Sequence, residues 1–243
     1  MKKYLLTISL VILTTLGLNA AQLINAPGVA YIENFNSYNG TSTLPANFTF
    51  SDSDFTPGGY YNSAASYNNS NSSYALFSSA VSSTDFSFGQ KGPTSGTDFL
   101  NWSFTNNTGA DITSFQVSWD FKQFSESGRA TTLSFNYNPN NTGWTTTGIT
   151  GSLSSTATTN ATTANLSDPL VDAKSVTVDL AVPLANGEGI LFGWGFRSGV
   201  GTGGNAHIGV DNISVLAIPE PGTASLLTLS FCALAWVRRR RNT

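Results

Sequence analysis

The chain has almost none of the residues that most hydrolytic and metal-dependent chemistry needs. Among 243 residues there is one cysteine, Cys232, and one histidine, His207. A lone cysteine inside an apolar tail segment leaves the preceding domain without a disulfide, a thiol nucleophile or a Cys-rich zinc cluster. Any Ser/His/Asp or two-histidine metal mechanism would have to pass through His207, which opens the last predicted strand, and no Gly-x-Ser-x-Gly elbow occurs. Charge is scarce as well, at 10% of residues. From Gln22 to Ala217 the basic side chains are Lys91, Lys122, Lys174, Arg129 and Arg197 against thirteen carboxylates, a net charge of −8. Such a surface repels phosphate backbones and excludes nucleic acid as a partner. Helical periodicity is missing too: between the two termini no stretch repeats its apolar residues every 3.6 positions.

What the chain does have is Ser, Thr, Asn, Gly and aromatic residues, the composition of strands and turns. Alternation is plain in Leu100, Trp102, Phe104; in Phe115, Val117, Trp119, Phe121; in Leu133, Phe135, Tyr137; in Val176, Val178, Leu180; and in Ile190, Phe192, Trp194, Phe196. Each set marks one face of a strand. Turn clusters at Asn106–Gly109, Asn138–Gly143 and Asn186–Gly187 separate these runs, as expected of a single all-β antiparallel sandwich over residues 22–217. Residues 52–73 and 148–167 are nearly devoid of aliphatics and read as long surface loops or weak edge strands.

The two termini read as addresses. Residues 1–20 form a secretory signal peptide: Lys2 and Lys3, an apolar run from Tyr4 to Leu18, then small residues at Ala20 and Ala21 where cleavage would fall. Residues 218–243 contain Pro219-Glu220-Pro221, sixteen uncharged residues from Gly222 to Val237, and Arg238, Arg239, Arg240 and Arg241. As a helix the uncharged stretch spans about 24 Å, short of the roughly 30 Å of a bilayer core, so it makes a single transmembrane helix that is a poor permanent anchor. The arginines stay cytoplasmic and leave the preceding domain on the far side. This order of motif, apolar helix and basic cluster resembles the PEP-CTERM sorting signal of Gram-negative bacteria that make extracellular polysaccharide. The resemblance covers about a tenth of the chain. It implies a membrane exosortase as processing partner, with Pro219, Glu220 and Pro221 as its recognition motif and Arg238 to Arg241 as the cytoplasmic stop. It also implies a transient inner-membrane intermediate and final residence at the cell surface or in the extracellular matrix.

A second resemblance concerns the domain's edges. Glu33-Asn34-Phe35 and the run from Ile208 to Val215 resemble the first and last strands of concanavalin-like jelly-roll domains. That implies neighbouring terminal strands, and it places Glu33 and Asp211 together as the start of a structural Ca²⁺ site. The alternative is that both carboxylates bind nearby backbone. Asp52-Ser53-Asp54 lacks the later ligands of an EF-hand and reads as a polar loop. Gly199 to Gly204 matches a dinucleotide fingerprint only as a string, because it leads into a strand and not a helix. Asn-x-Ser/Thr sequons such as Asn101 and Asn212 arise readily in so Asn-rich a chain.

Aromatic residues carry the functional expectation. Trp102, Trp119 and Trp194 fall in alternating runs and belong to the core, whereas Trp144 follows a turn and Tyr60, Tyr61 and Tyr67 sit in a polar loop. Exposed rings of that kind stack on sugars, so these four form the candidate carbohydrate platform, with exopolysaccharide as the candidate partner. The leading expectation is a non-enzymatic structural or carbohydrate-associated surface protein. The alternatives are a polysaccharide hydrolase using two carboxylates, for which Glu126 and Glu188 are the candidates, and a protein-binding adhesin with an exposed apolar patch or a long edge strand.

Overall fold

The computed structural model describes residues 21–37, 44–51, 60–61, 74–78, 85–91, 96–124, 129–146, 153–154, 169–201 and 206–219. Among them there is no helix; the elements are fourteen strands. In chain order they are β1 (Gln22–Ile24), β2 (Ala30–Glu33), β3 (Phe48–Ser51), β4 (Tyr60–Tyr61), β5 (Tyr74–Ser78), β6 (Phe86–Lys91) and β7 (Asp98–Asn106). They continue with β8 (Ile112–Gln123), β9 (Arg129–Pro139), β10 (Thr145–Thr146), β11 (Leu153–Ser154), β12 (Leu170–Leu184), β13 (Gly189–Gly201) and β14 (His207–Pro219).

The strands form two sheets. The first runs β1-β7-β13-β9-β10, with β3 pairing β7 and β11 pairing β9; the second runs β12-β8-β14-β6-β5-β4, with β2 pairing β14. Short strands share a partner end to end: β1 meets β7 at Phe104–Asn106, while β3 meets it at Phe99–Trp102. Two pairings are parallel, β1 with β7 and β4 with β5, so the sheets are mixed where the sequence reading expects antiparallel ladders throughout. The terminal strands do pair, Glu33 of β2 lying opposite Ile213 of β14. The weak segments behave as expected where they are described: β4 and β11 are two-residue strands on the far side of β5 and of β9.

The alternating runs point inward together. Leu100, Trp102, Phe104, Phe115, Val117, Trp119, Phe192, Trp194 and Phe196 are all buried in one core cluster. Ring contacts fix how the layers stack. Trp119 of β8 lies 5.0 Å from Phe135 of β9 and 6.2 Å from Trp194 of β13, while Phe88 of β6 meets Phe196 of β13 and Phe50 of β3. The β12–β8 side of the second sheet therefore covers the β9–β10 side of the first, and β6 covers β3. Such edge and offset ring pairs add about 0.5–1.5 kcal/mol each beyond the area they bury.

Strand β14 extends past the expected domain boundary at Ala217. Ile218 pairs with Ser114 and, after a register shift, Pro219 with Ile112. Proline lacks an N–H, so it fits only where the ladder ends or is irregular, which is where it stands. Residues 220–243, and with them Glu220, Pro221 and Arg238 to Arg241, lie outside the described residues, as do residues 1–20.

Candidate functional site

Pleating places every second residue of the first sheet on its outer face. One row across that face reads Thr49, Asn101, Gly193 and Asn136, and the neighbouring row reads Phe99, Gly195 and Ser134. β13 thus alternates core aromatics with outward glycines, and the glycines make room for rings. A Cβ added to Gly193 would stand 2.9 Å from Cη2 and Cζ3 of Trp144, and one added to Gly195 would stand 2.7 Å from Cε1 of Phe99. The two rings are nearly parallel, at 11°, with centroids 5.4 Å apart. Each lies against a glycine of the same strand, and Trp144 keeps 43% of its surface exposed.

A tight turn puts Trp144 there. Pro139, Asn140, Asn141 and Thr142 close with a 3.1 Å bond from Thr142 N–H to the Pro139 carbonyl, and both central asparagines have positive φ, 51° and 54°. That is the type I′ hairpin turn, in which asparagine tolerates the left-handed region better than most residues. Asn138 completes it by accepting from Gly143 N–H at 3.0 Å. The chain then doubles back through Trp144 into β10, whose Thr146 sits opposite Asn136.

Beside this turn a cleft of about 430 Å³ opens between Ser103, Thr105, Asn138, Asn140, Glu188 and Gly189. Glu188 is tied into its own turn, its Oε2 accepting from Ala185 N–H at 2.8 Å. Hydrogen bonds from the Asn140 side chain and the Ala185 backbone hold its carboxyl below the usual range, so it is ionised at neutral pH. In the same row as Gly193 stands Asn101, 8% exposed, whose Oδ1 has no hydrogen-bond partner and lies 3.0 Å from the position a Gly193 Cβ would take.

The other candidates lie on the second sheet or outside the described residues. Tyr60 and Tyr61 form β4, last in the order of the second sheet, whereas Trp144 leads into β10 of the first. Tyr67, Asp52, Asp54 and Glu126 lie outside the described residues. Glu33 Oε1 accepts from Phe35 N–H at 2.6 Å, and burial raises its pKa despite that bond and one from Asn34. Asp211 is fully buried against Lys122, 2.5 Å away, and Lys122 also reaches Asp85 at 3.1 Å. Burial pushes Asp211 up to about 6 against the pull of Lys122. For Lys122 burial works downward, but the two carboxylates carry its pKa above the usual value. Among the described residues no group of three or more His, Cys, Asp or Glu side chains could hold a metal ion. His207 is 5% exposed, and burial lowers its pKa to about 3, leaving it neutral.

Sequence reasoning missed Phe99 as the partner of Trp144. The available signal was the outward pair Gly193 and Gly195 within an otherwise aromatic strand, since glycine inside a strand often marks a close approach.

No protein-family model matches the chain, and no curated protein matches it. Among solved structures the chain is similar to a carbohydrate-binding module specific for non-crystalline cellulose, at 10% identity and a TM-score of 0.38 over 80% of this chain and 94% of that one. It is also similar to a cleaved adhesin domain of Lys-gingipain from Porphyromonas gingivalis, at 13% identity and a TM-score of 0.38 over 79% and 99%. A third likeness is to the enzymatically active domain of a bacteriophage tailspike protein, at 13% identity and a TM-score of 0.37, covering 79% of this chain and 21% of that one.

Proposed function

We propose that the protein is an exported surface or matrix component whose β-sandwich binds carbohydrate on the outer face of its first sheet, without catalysis of its own. The observation that carries this reading is the Trp144–Phe99 pair, two near-parallel rings laid against Gly193 and Gly195 on a face that also presents Asn101, Ser103, Ser134, Asn136 and Asn138. Sugars offer an apolar ring face and a rim of hydroxyls, and this surface offers an aromatic plane beside amide and hydroxyl groups. Among the described residues the cleft's only ionisable lining group is Glu188, engaged by its own turn, which favours binding over two-carboxylate hydrolysis.

The terminal signals supply delivery. Gln22 lies opposite Phe104 near the end of β7, and Pro219 opposite Ile112 at the start of β8, so both ends of the domain lie at one end of the sandwich. A signal peptide before Gln22 would carry the chain across the inner membrane, and an apolar helix after Pro221 would hold that same end there until an exosortase removes the tail. The Pro219→Ala/Pro221→Ala double variant is expected to accumulate as unprocessed membrane-bound precursor on immunoblots of cell fractions; normal maturation would contradict the sorting proposal.

The binding proposal is tested by affinity electrophoresis of the full chain, in a detergent without sugar groups, through gels containing the host's exopolysaccharide, with reducing ends assayed in parallel. Retardation without new reducing ends, abolished by Trp144→Ala, is the expected result. New reducing ends would promote the hydrolase reading, and unretarded migration would end the carbohydrate one.

A further inference from the structure

The ring pair and the cleft lie on one line. On the outer face β13 presents Gly189, Leu191, Gly193 and Gly195 in turn, flanked by Asn101 and Ser103 of β7 and by Asn136 and Asn138 of β9. The rings occupy the Gly193–Gly195 end, and the cleft opens at the Gly189 end. Six steps of extended strand separate Gly189 from Gly195, about 20 Å at roughly 3.3 Å per residue. That is longer than any single sugar ring. The floor between is low, with Leu191 the only large side chain that β13 contributes to it.

A second observation points to a ligand along this line. Asn101 Oδ1 is buried beside Gly193 and Trp144 without a partner. A buried acceptor left unpaired carries an uncompensated desolvation cost. A sugar hydroxyl donated from a ring seated against the indole removes that cost, once the indole tilts enough to admit it. The cleft end adds a constraint of charge, since Glu188 is its only charged lining residue among the described residues. A carboxylated, sulfated or phosphorylated sugar there would meet a like charge.

Resting on the carbohydrate-binding reading above, we propose that the ligand is a linear, non-acidic polysaccharide read along β13 over several rings, from the Trp144–Phe99 pair into the Asn138–Glu188 cleft. Length and charge are then the two determinants of affinity.

The test is calorimetric titration of the full chain with sized fragments of the host's exopolysaccharide, disaccharide to hexasaccharide, and with the same fragments oxidised to carboxylates at their primary alcohols. Affinity should rise by roughly tenfold or more, about 1.4 kcal/mol, from the shortest to the longest fragment. Leu191→Arg, placed midway along the line, should abolish that rise with length; Trp144→Ala should weaken every length. Oxidised fragments should bind more weakly than their parents, and Glu188→Gln should narrow the gap. Affinity independent of length, or tighter binding of the oxidised fragments, would overturn this inference while leaving carbohydrate binding intact. Failure of the intact polymer and every fragment to bind would overturn the reading beneath it as well.

Discussion

A methyl group at Gly193 would arrive 2.9 Å from two atoms of the Trp144 indole and 3.0 Å from Asn101 Oδ1, so the ring would have to lift. Gly193→Ala is therefore expected to weaken carbohydrate binding about tenfold, on the scale of one lost ring contact, while the folded domain survives; calorimetric titration reads the first and circular dichroism the second. Lys122 is a stability residue of a different kind. It is 4% exposed and is the only cation on the fully buried Asp211 among the described residues. Removing one partner of a buried pair strands the other charge, so Lys122→Met should cost about 3–5 kcal/mol in urea unfolding. Replacing both partners, as in Lys122→Met/Asp211→Leu, should recover most of that loss. Recovery identifies the pair as a charge problem and not a packing one.

At the scale of elements, the long strands were legible and the short ones were not. The runs Phe115 to Phe121 and Ile190 to Phe196 alternate over enough residues that only one face can be buried, and those residues are the ones the core contains. Trp102, Trp119 and Trp194 followed from the same pattern, and Trp144 stood out because it breaks it. β1, with three residues, carries no pattern of its own, and its parallel pairing with β7 comes from tertiary position. Phe99 was hidden for a related reason: its contact with Trp144 depends on β7, β13 and β9 lying side by side in one register, which no local window contains. The Asn138–Gly143 cluster was legible as a turn, whereas the aim of the residue after it was not. β12 offers the element-scale prediction. It is a fifteen-residue strand at the end of the second sheet's order, with Leu170, Val171 and Val182 exposed. Asp172 and Lys174 form an ion pair 2.5 Å apart at positions opposite the core residues Phe121 and Trp119. Charges on the inward side of an edge discourage pairing with another sheet, as does Pro183 in the same strand. Asp172→Val/Lys174→Val should therefore raise self-association in sedimentation velocity; an unchanged monomer would show that the edge is protected by other means.

For the whole molecule, pH and the location of the bound face are the two tests. In the unfolded chain His207 takes up a proton below about 6.5, whereas in the folded chain burial keeps it neutral down to about 3. Across that window the unfolded state holds more protons, so this group's contribution to stability is complete above pH 6.5 and is lost as pH falls toward 3. Asp211, raised from 3.8 to about 6, has the opposite sign, because the folded state holds the extra proton between those values. Between pH 7 and pH 5 the His207 contribution changes over a wider span than that of Asp211, so the melting temperature should drop in differential scanning calorimetry, and His207→Gln should turn that drop into a rise. The bound face is read most directly by hydroxyl-radical footprinting of the full chain with and without the host's exopolysaccharide. The account predicts protection of Trp144, Phe99 and Leu191 on the first sheet, with Ile32 of β2, Val182 of β12 and Ile218 of β14 on the second sheet unchanged. Protection confined to those second-sheet residues, with Trp144 as reactive as in the free protein, would contradict it.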